Sequence, residues 1–307
     1  MLNIRRILWP TDLTDQAERA FPHAATLAAW HDADLHILNV VEKGTGKSAG
    51  TKETFPVPEA TLTGFLRRHE APPQSVNLEA LTVVQDQERG ESPPDAITAY
   101  VDGHDIDLVV MGTHGRRGLR HLFIGSVAEG VVRRASCPVL TVREGSELAP
   151  AWRIRNILVP VDFSEASLEA LRHAKELALT YGAQITLLHV VEEVVYPSAY
   201  GLDPVNLPGA EVVTRVEENL AEIARDEIGY EHVEVEANVG YAPSSIHDYA
   251  ETNDADLITI ATHGRTGLER MLLGSVAERV VRQAPTPVFV VKSFGKSLLP
   301  PSAEASS

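Results

Sequence analysis

Hydrophobic and polar positions in this chain fall into short apolar runs that alternate with segments of helical spacing. Ile4 to Trp9 is an apolar run and predicts a strand. Thr14 to Ala29 follows, with Ala17, Ala20, Phe21, Ala24 and Ala28 at helical spacing. Leu35 to Val41 and Leu78 to Val84 predict a second and a third strand, and Pro94 to Val101 a short helix. Leu108 to Met111 predicts a fourth strand, Ser126 to Arg134 a helix and Val139 to Val142 a fifth strand. The strands are almost continuously apolar, as parallel strands covered on both faces must be. Strands alternating with helices predict βαβ units and a doubly wound α/β sheet.

The whole pattern then recurs. I-L-W-P-T-D ending at Asp12 matches I-L-V-P-V-D ending at Asp162, and L-H-I-L-N-V-V-E from Leu35 matches I-T-L-L-H-V-V-E from Ile185, both at an offset of 150. T-H-G-R from Thr113 and Thr262, G-S-V-A-E from Gly125 and Gly274, and the runs from Cys137 and Thr286 match at an offset of 149. A repeat this long, matched end to end, is a duplicated domain and not a solenoid. The predicted organisation is a first domain over 1–143, a linker over 144–153 and a second domain over 154–292. A tail over 293–307, rich in Ser, Ala and Pro, is predicted to be disordered. Copy two carries a long amphipathic helix from Ala210 to Ile228. The copies differ most at Gly44–Pro58 and Tyr196–Pro208, which are rich in Pro and Gly and are expected to be mobile loops.

Composition narrows the classes. A length of 307 residues suits two domains of about 150 each, and 44% hydrophobic with 23% charged residues is ordinary for a globular chain. The net charge of −16 argues against nucleic acid or an anionic membrane as partner. An anionic ligand then needs a local positive pocket. The single cysteine, Cys137, excludes an intramolecular disulfide and a cysteine-rich metal site. It opens an apolar run and reads as a buried structural thiol. The N-terminus has no signal-peptide pattern, and no apolar run approaches the ~18 residues of a membrane span. The expected location is the cytoplasm.

The stretch from Met111 to Ser126, M-G-T-H-G-R-R-G-L-R-H-L-F-I-G-S, is where chemistry is expected. It fits G-x2-G-x9-G-[ST] at Gly112, Gly115, Gly125 and Ser126 and returns as Ala261 to Ser275. Glycines let backbone approach a phosphate, a helix N-terminus favours negative charge, and Arg116 and Arg117 add charge. In a parallel sheet, ligands sit beyond the carboxyl ends of strands at the switch point, which is where this loop begins. A purely structural reading stands beside it: Ser126 to Glu129 and Ser275 to Glu278 are both S-x-x-E capping boxes. Asp12 and Asp162 end the first strand of each copy. They could accept hydrogen bonds from ribose hydroxyls or an adenine amine, or form a local Asx turn. His114 and His263 precede Gly115 and Gly264. With no second ligand at i+4 they suit a loop-stabilising or ligand-contacting role better than a metal site.

Other motifs are ruled out. G-T-G-K-S at Gly44 to Ser48 resembles the end of a P-loop, but Val41 stands where the first glycine must be, and copy two has no equivalent. No G-x-G-x-x-G follows the first strand, which argues against a dinucleotide-binding domain. There is no G-x-S-x-G, no H-E-x-x-H and no evident Ser-His-Asp order, so no catalytic residue is predicted and binding is favoured over turnover.

Taken together, Pro10-Thr11-Asp12, the N-V-V-E strand end, M-G-T-H-G-R, G-S-V-A-E and C-P-V-L-T-V resemble the universal stress protein family, as two domains covering Leu2–Val142 and Ile154–Lys292. The resemblance implies five-stranded sheets of order 3-2-1-4-5 and, in the nucleotide-binding branch, ATP at the glycine loop, with or without Mg. Carried over residue by residue, Asp12 and Asp162 would touch ribose or adenine, flanked by Pro10, Thr11, Pro160 and Val161. Val40 and Val190 would offer backbone to the adenine. Gly112, Gly115, Gly125, Ser126 and Val127 would hold phosphates in copy one, with His114 and Arg116 beside them. Gly264, Gly274, Ser275 and Val276 would do so in copy two, with His263 and Arg265. The family pairs domains through the last strands, here Val139–Val142 and Val288–Val291, and a homodimer is a further expectation. Copy two departs at Ala261. If that position needs a left-handed backbone, alanine costs roughly 1–2 kcal/mol. If it is strand-like, the cost is only a methyl near the ligand. The function so implied is an ATP-binding stress-response regulator without efficient turnover. The alternatives are a weak ATPase or self-phosphorylating protein using Ser126 or Ser275, and a nucleotide-free interaction module.

Overall fold

A computed structural model describes residues 2–42, 55–68, 80–113, 125–143, 154–192, 210–263 and 273–300. The linker at 144–153, the loop at 196–208 and most of the loop at 44–58 lie outside the described residues. Copy one contains strands β1 (Arg6–Pro10), β2 (Asp34–Glu42), β3 (Val83–Gly90), β4 (Leu108–Gly112) and β5 (Val139–Val142). Its helices are α1 (Asp15–Glu18), α2 (Phe21–His31), α3 (Glu59–Arg68), α4 (Pro93–Gly103) and α5 (Ser126–Arg134). Copy two contains β6 (Asn156–Pro160), β7 (Gln184–Val191), β8 (Val233–Val239), β9 (Leu257–Ala261) and β10 (Val288–Val291). Its helices are α6 (Glu165–Tyr181), α7 (Ala210–Ile223), α8 (Ala242–Thr252) and α9 (Ser275–Gln283).

The strands form one ten-stranded sheet in the order β3-β2-β1-β4-β5-β10-β9-β6-β7-β8. Each half has the expected order 3-2-1-4-5, and all pairings within a half are parallel. The halves join by one antiparallel pairing, Val288 with Thr141, Phe289 with Leu140 and Val290 with Val139. All eight residues of these two strands are buried, so each domain's last strand hides the other's apolar edge. Successive strand residues face opposite sides. Ile7 and Trp9 meet α2 on one face, while Leu8 meets α4 and α5 on the other. Each of the two cores runs through both copies.

The pairing is reinforced across the junction. Arg143, just after β5, donates to the carbonyls of Gln283 (2.8 Å) and Ala284 (3.4 Å) at the end of α9. Lys292, just after β10, donates to the Val132 carbonyl in the last turn of α5. Each domain thus places a cation on the carboxyl end of the other's helix, where the dipole favours it. Burial pushes the Lys292 pKa down to about 8. At the far side, Trp30 of α2 meets Tyr181 of α6 edge-on, with centroids 4.8 Å apart.

Four expectations are corrected. The third strand is Val83–Gly90, not Leu78–Val84. It lies at the edge of the sheet, where Gln85, Asp86, Gln87 and Glu88 are tolerated and protect against edge association, so the apolar run before it misplaced the strand. The helix predicted over Thr14–Ala29 is broken at Arg19–Ala20. Pro22 cannot return a hydrogen bond to Glu18, and the Ala17 carbonyl accepts Trp9 Nε1 (3.0 Å) and the Ala20 amide (3.2 Å). The end of the first Pro/Gly-rich loop is pinned: the Val57 amide and carbonyl pair with the Gln85 side chain at 2.7 and 3.0 Å. The predicted tail is packed as far as Pro300, with Leu298 at 1% exposure. No helix among the described residues is long and apolar enough to cross a membrane.

Candidate functional site

The sheet fixes where a ligand can sit. β1 lies beside both β2 and β4. The helix after β1 packs on one face and the helix after β4 on the other, so their loops part at the carboxyl ends of the two strands. That parting is the crevice of a doubly wound sheet. Pro10, Thr11 and Asp12 leave β1 on one side of it, and Gly112 ends β4 on the other. Val40 lies one strand over on β2. Pro160, Val161, Asp162, Ala261 and Val190 hold the matching positions around β6, β9 and β7. His114, Gly115, Arg116, Gly264 and Arg265 lie outside the described residues.

The loop after each first strand is tightly built. Asp12 Oδ1 accepts from the Thr14 amide (3.2 Å) and hydroxyl (2.6 Å), and Asp162 Oδ1 accepts from the Ser164 amide (3.1 Å) and hydroxyl (2.5 Å). The Asx turn is therefore present in both copies, just past the end of the first strand. Thr14 caps α1 and Ser164 caps α6 through the Ala17 and Ser167 amides. Between Asp and cap, Leu13 and Phe163 stand at φ 59° and 63°. Left-handed backbone at a bulky residue is held only where surroundings impose it. In copy one the Leu13 amide is held by Thr11 Oγ1 at 3.0 Å.

Residues that sequence reasoning passed over support this loop. Asn39 donates to the Thr11 carbonyl (2.9 Å) and accepts from Gln87 (2.9 Å). His189, at the matching position, donates from Nδ1 to the Val161 carbonyl at 2.6 Å. The signal was available, since a polar residue interrupts both apolar runs, in N-V-V-E and in H-V-V-E. Thr113 and Thr262 were also missed as supports. Their carbonyls accept the Gly125 (2.6 Å) and Gly274 (2.8 Å) amides and so close the mouth of each glycine loop.

The capping-box reading of Ser126 and Ser275 is overturned. Each serine is the first helical residue, the cap position is Gly125 or Gly274, and neither helix has a side-chain cap. Glu129 and Glu278, which would have closed the box, pair instead with Arg133 (2.7 Å) and Arg282. The first-turn amides of α5 and α9, including those of Ser126, Val127, Ser275 and Val276, thus begin at the crevice with no side-chain cap among the described residues. A helix N-terminus of this kind favours an anion. Among the described residues, no group of three or more His, Cys, Asp or Glu is placed to hold a metal. Two open clefts, of about 400 and 650 Å³, lie at the edge of copy two around Tyr230 and His232, away from the crevice, and contain none of the predicted site residues.

Comparison with known proteins matches this architecture. The family model described as the universal stress protein family fits residues 3–143 and again 153–292. A universal stress protein of Methanocaldococcus jannaschii is 35% identical over 49% of this chain and 86% of its own length. One from Mycolicibacterium smegmatis is 28% identical over 93% of this chain and 96% of its own. The crystal structure of a universal stress protein from Pseudomonas aeruginosa shares the fold, with a TM-score of 0.65 at 22% identity, covering 94% of this chain and 93% of that one. With the family model matched once in each half of a continuous sheet, this chain belongs to the universal stress protein family, as a tandem of two such domains.

Proposed function

We propose that each half binds an adenine nucleotide, ATP in the first instance, and that the protein is a stress-response regulator that holds its ligand without efficient turnover. The observation that carries this reading is the start of α5 and α9. Both helices open on a glycine with no side-chain cap, at the switch point of a parallel sheet, and they do so twice in one chain. Asp12 and Asp162, whose Oδ1 atoms hold the Asx turns, follow the ends of β1 and β6, and ribose hydroxyls would donate to their carboxylates. The acidic chain, at net −16, makes a purely electrostatic phosphate trap a poor explanation, so backbone amides and the loop arginines carry the attraction. Regulation without turnover rests on the lack of any recognisable base and nucleophile set.

Calorimetry with ATP, with and without Mg, tests the reading. The expected result is binding at two sites. Ser126→Asp and Ser275→Asp place a carboxylate at the first helical position, which favours the helix and opposes a phosphate. Each variant should lose one site, by about tenfold or more in affinity. Absence of binding heat in the unsubstituted protein sinks the proposal. Steady phosphate release that tracks Ser126 or Ser275 would replace it with the enzyme reading.

A further inference from the structure

The segment after β10 is attached to both halves. It begins at the copy-two glycine loop: the Ser293 amide donates to Thr262 Oγ1 (3.3 Å), and Ser293 Oγ lies 2.9 Å from His263 Nδ1. It then crosses to copy one. Gly295 stands at φ 83°, where a Cβ would lie 2.1 Å from the Ser136 carbonyl, and the Lys296 amide donates to that carbonyl at 2.6 Å. Lys296 Nζ binds the Asp105 carbonyl (2.8 Å) and Asp107 Oδ1 (2.9 Å), while Asp107 Oδ2 holds the Arg5 and Arg6 amides. The segment ends between the halves. The Asn3 amide donates to the Leu298 carbonyl at 2.7 Å, and Ser297 Oγ donates to Glu169 Oε1 of α6 at 2.8 Å. The buried Leu298 donates its amide to Nε2 of His173, also on α6, at 3.1 Å.

That last bond depends on a single protonation state. His173 is fully buried, and its Nδ1 lies 2.8 Å from the Glu169 carbonyl, which can only accept. The Leu298 amide can only donate. The ring must therefore be neutral, with its proton on Nδ1 and its lone pair on Nε2. A second proton would place an N–H against an N–H at the one point where the strap enters the core. The charged groups around the ring are Glu169, whose Oε1 is 3.9 Å from Nδ1, and Glu176, both on α6; from β10 it meets only the uncharged ring of Phe289, at 6.3 Å between centroids.

We propose that residues 293–300 form a proton-released strap, which ties the two halves and the base of the copy-two glycine loop together while His173 is neutral and lets go when His173 takes a second proton. Burial lowers the His173 pKa below the usual 6.5, against the opposing pull of the Glu169 carbonyl and the two carboxylates. A depressed histidine pKa in the closed state means closure is fully favoured above pH 6.5 and is lost as pH falls below it. The consequence for ligand control rests on the nucleotide-binding reading, but strap opening does not.

The test uses full-length protein without nucleotide. Amide exchange, corrected for intrinsic rates, is followed at Leu298, Ser293 and Gly274 from about pH 7.5 to about pH 5.5, a range that brackets histidine titration. The expected result is about a tenfold loss of protection at Leu298, with parallel losses at Ser293 and Gly274. In His173→Gln, whose amide can both donate and accept without titrating, all three should stay constant. Protection that is independent of pH, or the same loss in His173→Gln, overturns the strap. Should that variant fail to fold, ring nitrogen shifts of the unsubstituted protein decide. A proton on Nδ1 at neutral pH, with titration that follows Leu298 exchange, supports the proposal; a proton on Nε2, or titration without exchange, overturns it. Failure of ATP binding would leave these outcomes untouched.

Discussion

Gly112 and Ala261 end β4 and β9 at the same place in the repeat, yet only one of them has to be a glycine. Neither is left-handed: Gly112 pairs with Val142 and Ala261 with Val291 as ordinary strand residues. The difference comes from the helix after the first strand. In copy one, Pro22 breaks that helix, and its first turn lies over the end of β4. A Cβ on Gly112 would stand 2.7 Å from the Gln16 carbonyl. In copy two the corresponding helix runs unbroken over Glu165–Tyr181, and the Ala261 methyl is buried at 7% exposure without displacing it. The Gln16 carbonyl of the neighbouring helix is thus enough to require the first glycine in copy one, and copy two, with its unbroken helix, admits alanine there.

The comparison can be broken or sharpened by substitution, starting at the shared junction. Phe289 faces Leu140 across the only antiparallel pairing among the described residues and is 1% exposed. Phe289→Ala should cost about 3–5 kcal/mol and lower the urea midpoint of both halves together. If only copy two loses stability, the two halves are not one cooperative sheet. Next, Gly112→Ala should cost about 1–3 kcal/mol by overpacking, whereas Ala261→Gly should cost only about 0.5–1 kcal/mol. Equal costs would show that the broken helix does not set the requirement. The smallest effect concerns a cluster found only in copy one. His36 Nδ1 meets Tyr100 Oη at 2.9 Å, Tyr100 donates to Asp86 at 2.5 Å, and His104 stacks on Tyr100 with centroids 3.7 Å apart. Thr186, Tyr249, Glu236 and Asn253 replace this set in copy two. Burial, and then His104, lowers the His36 pKa. The stability it contributes is therefore present above pH 6.5 and lost as pH falls. His36→Thr should flatten the acid side of the stability profile of copy one, and an unchanged profile would remove His36 from the account.

Much of this was legible in one dimension. The duplication, the α/β alternation and the buried parallel strands follow from apolar runs whose spacing is local. The sequence places Asp12 and Asp162 at strand ends because a polar residue directly after an apolar run marks where the strand leaves the core. The third strand escapes the same rule for the converse reason. An edge strand needs only half a hydrophobic pattern, and Val83–Gly90 is mostly polar. The serines of G-S-V-A-E match a capping box letter for letter, and only the backbone shows that each serine is already the first helical residue, with the cap on the glycine before it.

The sequence by itself determined that there are two α/β domains, that each carries a glycine loop after its fourth strand, and that an aspartate stands at the end of each first strand. These features are written in the period of side chains along the chain, which each segment carries alone. Tertiary structure decided how β5 meets β10, why Gly112 admits no side chain, which atom of Asp12 holds the turn, and that residues 293–300 lie along both halves and close on His173. Each of these depends on atoms more than a hundred residues apart in sequence, or on backbone groups that look alike in every residue, and such contacts exist only once the chain has folded.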